Sequence, residues 1–147
     1  MAARASVVLV ALALCAAGGP APAETRALAC EPTSLTPDST SLRLTLPDPH
    51  GRELGVSTEH GFFYLAWDER AGIEGATPRI QGFREARELT LDPRTLEGWH
   101  FHATDHGWRP IFTEPGRYTF VTADVLQTDA PPADAIPPSR CVVEYRK

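Results

Sequence analysis

The sequence predicts an all-β protein: a single-domain β-sandwich with long loops and one disulfide. Three observations lead there. Several short runs alternate apolar and polar residues, the two-residue period of half-buried strands, and no stretch keeps a 3.6-residue period. Most of the 11 glycines and 14 prolines fall between those runs, where they punctuate turns. Beyond the first residues only two cysteines occur, Cys30 and Cys141, near opposite ends of the chain. Seven or eight short strands in a chain of this size suit a two-layer sandwich.

The chain opens with "MAARASVVLVALALCAAGGPAPAETR". One cation, Arg4, precedes an apolar run over 7–17. Gly18-Gly19-Pro20 and the small-residue exit Ala21-Pro22-Ala23 follow. This is the layout of a secretory signal peptide, residues 1–23. The run is too short to span a bilayer, which takes ~20 residues. Residues 24–40, with Pro32, Pro37 and several Ser and Thr, read as an extended N-terminal segment. The sandwich domain is expected over 41–147.

Within that domain "SLRLTL" puts Leu42, Leu44 and Leu46 on one face, and "PDPHG" stops it. "RELGVS" sets Leu54 and Val56 in phase. "FFYLAW", the most apolar run, reads as a central strand. Residues 68–84 carry Gly72, Gly75, Pro78 and Gly82 without periodicity, so a long loop is expected. "ARELTLD" places Leu89 and Leu91 in phase, and "WHFHA" alternates. "HGWRPIFTEPG" reads as a bent segment. "RYTFVTADVLQ" is a long strand with a kink, "DAPPADAIPPS" a loop and "RCVVEY" the closing strand.

Export would deliver Cys30 and Cys141 to an oxidising compartment, where an even pair is expected to bridge. That leaves no thiol as a nucleophile. No G-x-S-x-G elbow, no Gly-rich loop opening a helix and no basic patch with interleaved aromatics is present. Fourteen Lys and Arg against 19 Asp and Glu give a net charge of −5, which repels nucleic acid and would suit a cationic partner.

Histidine is the one residue type that gathers. "WHFHATDH" holds His100, His102 and His106. On a strand His100 and His102 point together, and His106 could join from the turn to hold zinc or copper with one position open. Asp105 could orient one imidazole. The competing reading turns Trp99, Phe101 and Ala103 inward and leaves His100 and His102 as solvent-facing alternates. His50, His60 and His106 each precede a glycine, a turn signature. Trp67 and Trp99 are in phase with buried positions. Trp108, after Gly107 in the bent segment, is the candidate contact residue, since exposed indoles on a sandwich can stack on sugar rings, as in carbohydrate-binding modules.

Three local resemblances bear on these readings. Glu114-Pro115-Gly116-Arg117-Tyr118-Thr119-Phe120 resembles the D-x-G-x-Y-x-C stretch of immunoglobulin-like domains, and "PG-x-Y-x-F" is similar to bacterial β-sandwich modules. The resemblance implies an immunoglobulin-like sandwich in which Tyr118 is a structural tyrosine corner, its hydroxyl bonding back to the upstream backbone. Phe120 replaces the usual cysteine, so the antibody-type bridge is absent. Leu12-Ala13-Leu14-Cys15 loosely resembles a bacterial lipoprotein box, which implies a lipid anchor at Cys15. Leu14 departs from the Gly, Ala or Ser of that box, and Ala21-Pro22-Ala23 implies cleavage after Ala23 instead. The histidine stretch looks like the H-x-H-x-D-H motif of metallo-β-lactamase-type hydrolases. It is one residue too long, and the chain is about half the length that fold needs, so that family is set aside.

The expectation is therefore an exported, non-enzymatic binding or structural module of the cell envelope, periplasmic or secreted, with a protein or glycan partner and no required cofactor. The alternatives are a zinc- or copper-binding protein using the three histidines, and an inhibitor of a cationic hydrolase.

Overall fold

The computed structural model describes residues 27–68, 72–77, 79–102, 104–123 and 138–147. The expected leader at 1–23 with Cys15, and the proline-rich loop up to residue 137, lie outside the described residues. Among the described residues ten strands are present: β1 (Ala29–Glu31), β2 (Ser34–Leu35), β3 (Leu42–Thr45), β4 (Glu53–Thr58), β5 (Gly61–Ala66), β6 (Glu88–Leu91), β7 (Glu97–His102), β8 (Asp105–Pro110), β9 (Gly116–Ala123) and β10 (Ser139–Tyr145). They form a three-stranded sheet, β1-β3-β6, and a seven-stranded sheet, β2-β10-β9-β4-β5-β7-β8. The two sheets pack as an all-β sandwich. Among the described residues there is no helix, and so none long and apolar enough to cross a membrane.

The alternating runs fold as their period dictates. Leu42 and Leu44 of β3 turn to the core with Cys30 and Leu89 opposite Leu44. On the large sheet Val56 pairs with Phe120 and Tyr118 with Val143, all facing the same core. Phe120, Leu35, Leu42, Leu44, Leu54, Val56 and Val143 have no measurable exposure. Burying each such side chain is worth roughly 1.5–3 kcal/mol relative to leaving it in water.

Two segments depart from the sequence reading. Residues 27–40, read as an extended segment ahead of the domain, are woven into it. Leu28, Cys30 and Leu35 are buried. β1 pairs antiparallel with β3, and β2 pairs parallel with β10, so the chain changes sheets between residues 31 and 34. The strands are too short, and Pro32 too close, for any period to show. The bent segment at 106–116 is β8 followed by a turn. Gly107 and Pro110 read as breakers, yet an edge strand tolerates both.

The Cys30–Cys141 disulfide joins the layers, with Cα atoms 5.8 Å apart. Cys141 stands across the ladder from Phe120, so the bridge occupies the strand next to the one where the immunoglobulin motif would place its cysteine. Tyr118 is buried to 4 % exposure and its hydroxyl donates to the Glu114 carbonyl at 2.6 Å. Burial pushes its pKa up. Phe112 closes this end, ringed by Tyr118, Phe120 and Tyr145.

One irregularity reshapes the large sheet. Between β4 and β5, Leu54 pairs with Ala66 and Gly55 with Tyr64, so Leu65 is an extra residue. Such a bulge sets two neighbours on one face. Leu65 and Ala66 both belong to the core, and Trp67 is thrown to the opposite side.

A candidate binding face of aromatic side chains

Side chains opposite one another in a ladder share a face. Phe63 pairs with Val56 and His100, which assigns His100 to the core side. Tyr64 pairs with Trp99, and Trp99 with Trp108, which assigns all three to the side turned away from the small sheet. Phe62 joins them, its ring 4.8 Å from Tyr64. The Trp99 and Trp108 rings meet edge to face at 5.8 Å, and Trp67 lies 6.4 Å from Trp108. His106, across from Phe101, sits 5.7 Å from Trp99. The result is a row of aromatic rings over β5, β7 and β8.

Other groups cover part of this row. Gly75 lies against the edge of the Trp99 indole, and its φ of +79° is in the region that favours glycine. The Arg79 guanidinium sits 4.1 Å above the Trp108 ring, a cation–π contact, and pairs with Glu97 at 3.1 Å. Trp67 and Trp99 are buried, as expected, but outside the inter-sheet core in which their phase would place them. Trp108 is half-buried. Phe101, at 59 % exposure, is the exposed large hydrophobic side chain of the described residues.

A cleft of about 480 Å³ adjoins the row at Trp67. Ile80 and Phe83 add apolar surface to it; Gln81, Arg84 and Glu85 add planar polar groups. Next to it the Asp68 carboxylate, 6 % exposed, accepts hydrogen bonds from Arg52 and Arg84, each at 3.0 Å. A buried carboxylate held between two guanidinium groups fixes the Arg84 end of the cleft to the end of β5. His50 packs edge-on to Phe83 at 4.8 Å, and burial holds its pKa below the ordinary histidine value.

The three candidate metal ligands do not converge. His100 and His102 share a face, their rings parallel and 6.3 Å apart. His106 lies on the other face, because the register of β7 and β8 sets it opposite Phe101. Among the described residues no group of three or more His, Cys, Asp or Glu side chains could hold a metal ion. The solvent-facing reading holds for His102, which is exposed, and needs correction for His100. His100 is 9 % exposed, packed on Phe63, while Phe101 points to solvent. The core covers one side of β7 and residues around Gly75 the other, and both coverings end before residue 101. A Cβ on Gly61 would lie 2.8 Å from His100 Nε2, so glycine is needed there.

Phe62, Tyr64, Arg79 and Phe101 were not singled out by the sequence. The available signal was in "FFYLAW", whose aromatics occupy both phases of one strand, and in Trp99 and Phe101 two residues apart. No family model, curated protein or solved structure matches this chain.

Proposed function

We propose that the protein is an exported, non-enzymatic binding module of the cell envelope, periplasmic or secreted, which holds a glycan on the aromatic face. One observation carries the reading: Trp108, half-buried and backed by the buried rings of Trp67 and Trp99, and the exposed Phe101 share a sheet face that the second sheet does not cover. Pyranose rings present flat C–H faces to indoles, and their hydroxyls need planar partners of the kind that Gln81, Arg84 and Glu85 offer in the adjoining cleft. The disulfide fits an oxidising compartment.

The test is a glycan array followed by calorimetry on the best ligand. Binding that Trp108→Ala and Phe101→Ala each weaken at least about tenfold, a loss of about 1.4 kcal/mol, supports the reading. Phe101 is exposed and Trp108 half-buried, and circular dichroism verifies that both variants keep the wild-type fold. An array without hits, or hits indifferent to both changes, overturns it.

A further inference from the structure

β8 forms one edge of the large sheet, and a single hydrogen bond fixes its backbone phase. The Ile111 N–H donates to the Leu96 carbonyl at 3.1 Å, in the same unbroken register that pairs Gly98 with Arg109, His100 with Gly107 and His102 with Asp105. Hydrogen-bonded and non-hydrogen-bonded pairs alternate along an antiparallel ladder. Asp105, Gly107 and Arg109 therefore aim their backbone groups at β7, and His106, Trp108 and Pro110 aim theirs away. Pro110 agrees with this phase, since a residue without N–H stands at an outward position. Among the described residues no backbone group is hydrogen-bonded to the outward groups of His106 and Trp108.

An edge of unpaired groups is a template for another strand. We propose that this strand is β8 of a second copy of the chain, antiparallel, about a two-fold axis through Gly107. Only outward-facing residues can exchange hydrogen bonds across the new ladder. Setting His106 opposite Trp108 of the second copy, and the reverse, meets that condition with two hydrogen-bonded pairs. The two Gly107 residues then meet on the axis as a non-hydrogen-bonded pair, where Cα atoms come within about 4.5 Å. Glycine offers no side chain to obstruct them, and open space surrounds its missing Cβ in one copy.

The same register places Asp105 opposite Arg109 of the second copy and Arg109 opposite its Asp105. An isologous interface needs this self-complementarity. Asp105 and Arg109 already pair along their own strand, and both are about half exposed, so they can exchange partners. Sliding one strand by two residues in either direction, the smallest step that keeps the hydrogen-bond phase, removes both ion pairs. On the other face each His106 comes against Trp108 of the second copy, so the two aromatic rows join across the axis. The inference does not rest on the proposed glycan binding.

Sedimentation equilibrium of the purified protein from micromolar to millimolar concentration tests it. The expected result is a monomer–dimer equilibrium. Asp105→Arg or Arg109→Asp alone turns two attractive pairs into repulsive ones and weakens association roughly ten- to a hundredfold. The double variant D105R/R109D recreates both pairs and restores the wild-type constant. Circular dichroism verifies that these exposed changes leave the fold intact. A monomer throughout the range, a dimer indifferent to either single reversal, or a double variant that stays as weak as the single ones overturns the inference.

Discussion

Replacing Cys30 and Cys141 together by alanine removes the covalent link between the layers without leaving a free thiol or a buried hydroxyl. The two residues are 111 positions apart. In the chain-entropy account, closing a loop of that length lowers the free energy of folding by about 5 kcal/mol at 25 °C, by restricting the unfolded chain. Loss of the sulfur atoms of buried Cys30 and partly buried Cys141 adds up to about 1 kcal/mol each from weaker packing. A domain of this size is typically stable by about 5–15 kcal/mol, so the change rivals the whole margin. It corresponds to a fall in melting temperature of roughly 20 °C or more. Guanidinium denaturation followed by the fluorescence of the three tryptophans measures it. The oxidised protein should unfold at higher denaturant and with a smaller m-value, because its bridged unfolded state exposes less surface. A difference below about 1 kcal/mol between the two proteins would refute the reasoning, since the loop-closure contribution alone is several times larger.

Other perturbations address single contacts. Tyr118→Phe removes the hydroxyl bonded to the Glu114 carbonyl and should cost about 1 kcal/mol in urea unfolding; an unchanged midpoint would mean that the bond contributes nothing net. Gly98→Ala would put a methyl group 2.8 Å from Phe63 Cβ and 3.2 Å from Ile111 Cδ1. Overpacking there should destabilise by roughly 1–3 kcal/mol, read as a lower melting temperature. His50 is held below its ordinary pKa by burial, so the fold favours its neutral form. Its share of stability is complete above about pH 6.5, the unfolded value, and drains as pH falls through that value toward the lower folded one. Urea midpoints should therefore drop between about pH 7.5 and about pH 5, and more steeply in the wild type than in His50→Gln; parallel slopes would assign the effect to other groups.

Half-buried strands announce themselves, because one face meets leucine and the other water. β3, β4, β6 and β9 were legible for that reason, and the cysteine pair followed from its even count. The bulge at Leu65 was not legible: it is a relation between two strands, and nothing local in "YLAW" shows that the phase slips before Trp67. β7 misled through its coverings. Alternation in "WHFHA" is real, but its two faces are exchanged: His100, expected in water, faces the core beside Phe63, and Trp99, expected in the core, is buried on the outer side against Gly75, far away in sequence. His106 could have been placed from the sequence had His102 and Asp105 been recognised as partners across a hairpin, since alternation then sends His106 away from His100 and His102.

The sheet-to-sheet crossing near residue 32 has a consequence for how the molecule comes into being. Residues 33–35 are held by the strand that ends at Tyr145, through bonds such as that from the Glu144 amide to the Thr33 carbonyl. The earliest part of the domain to be synthesised thus waits for nearly the last. Contacts this distant are slow to form. Until its final strand has emerged, the growing polypeptide cannot complete the seven-stranded layer, and the apolar face of that layer must be kept from sticking to its neighbours.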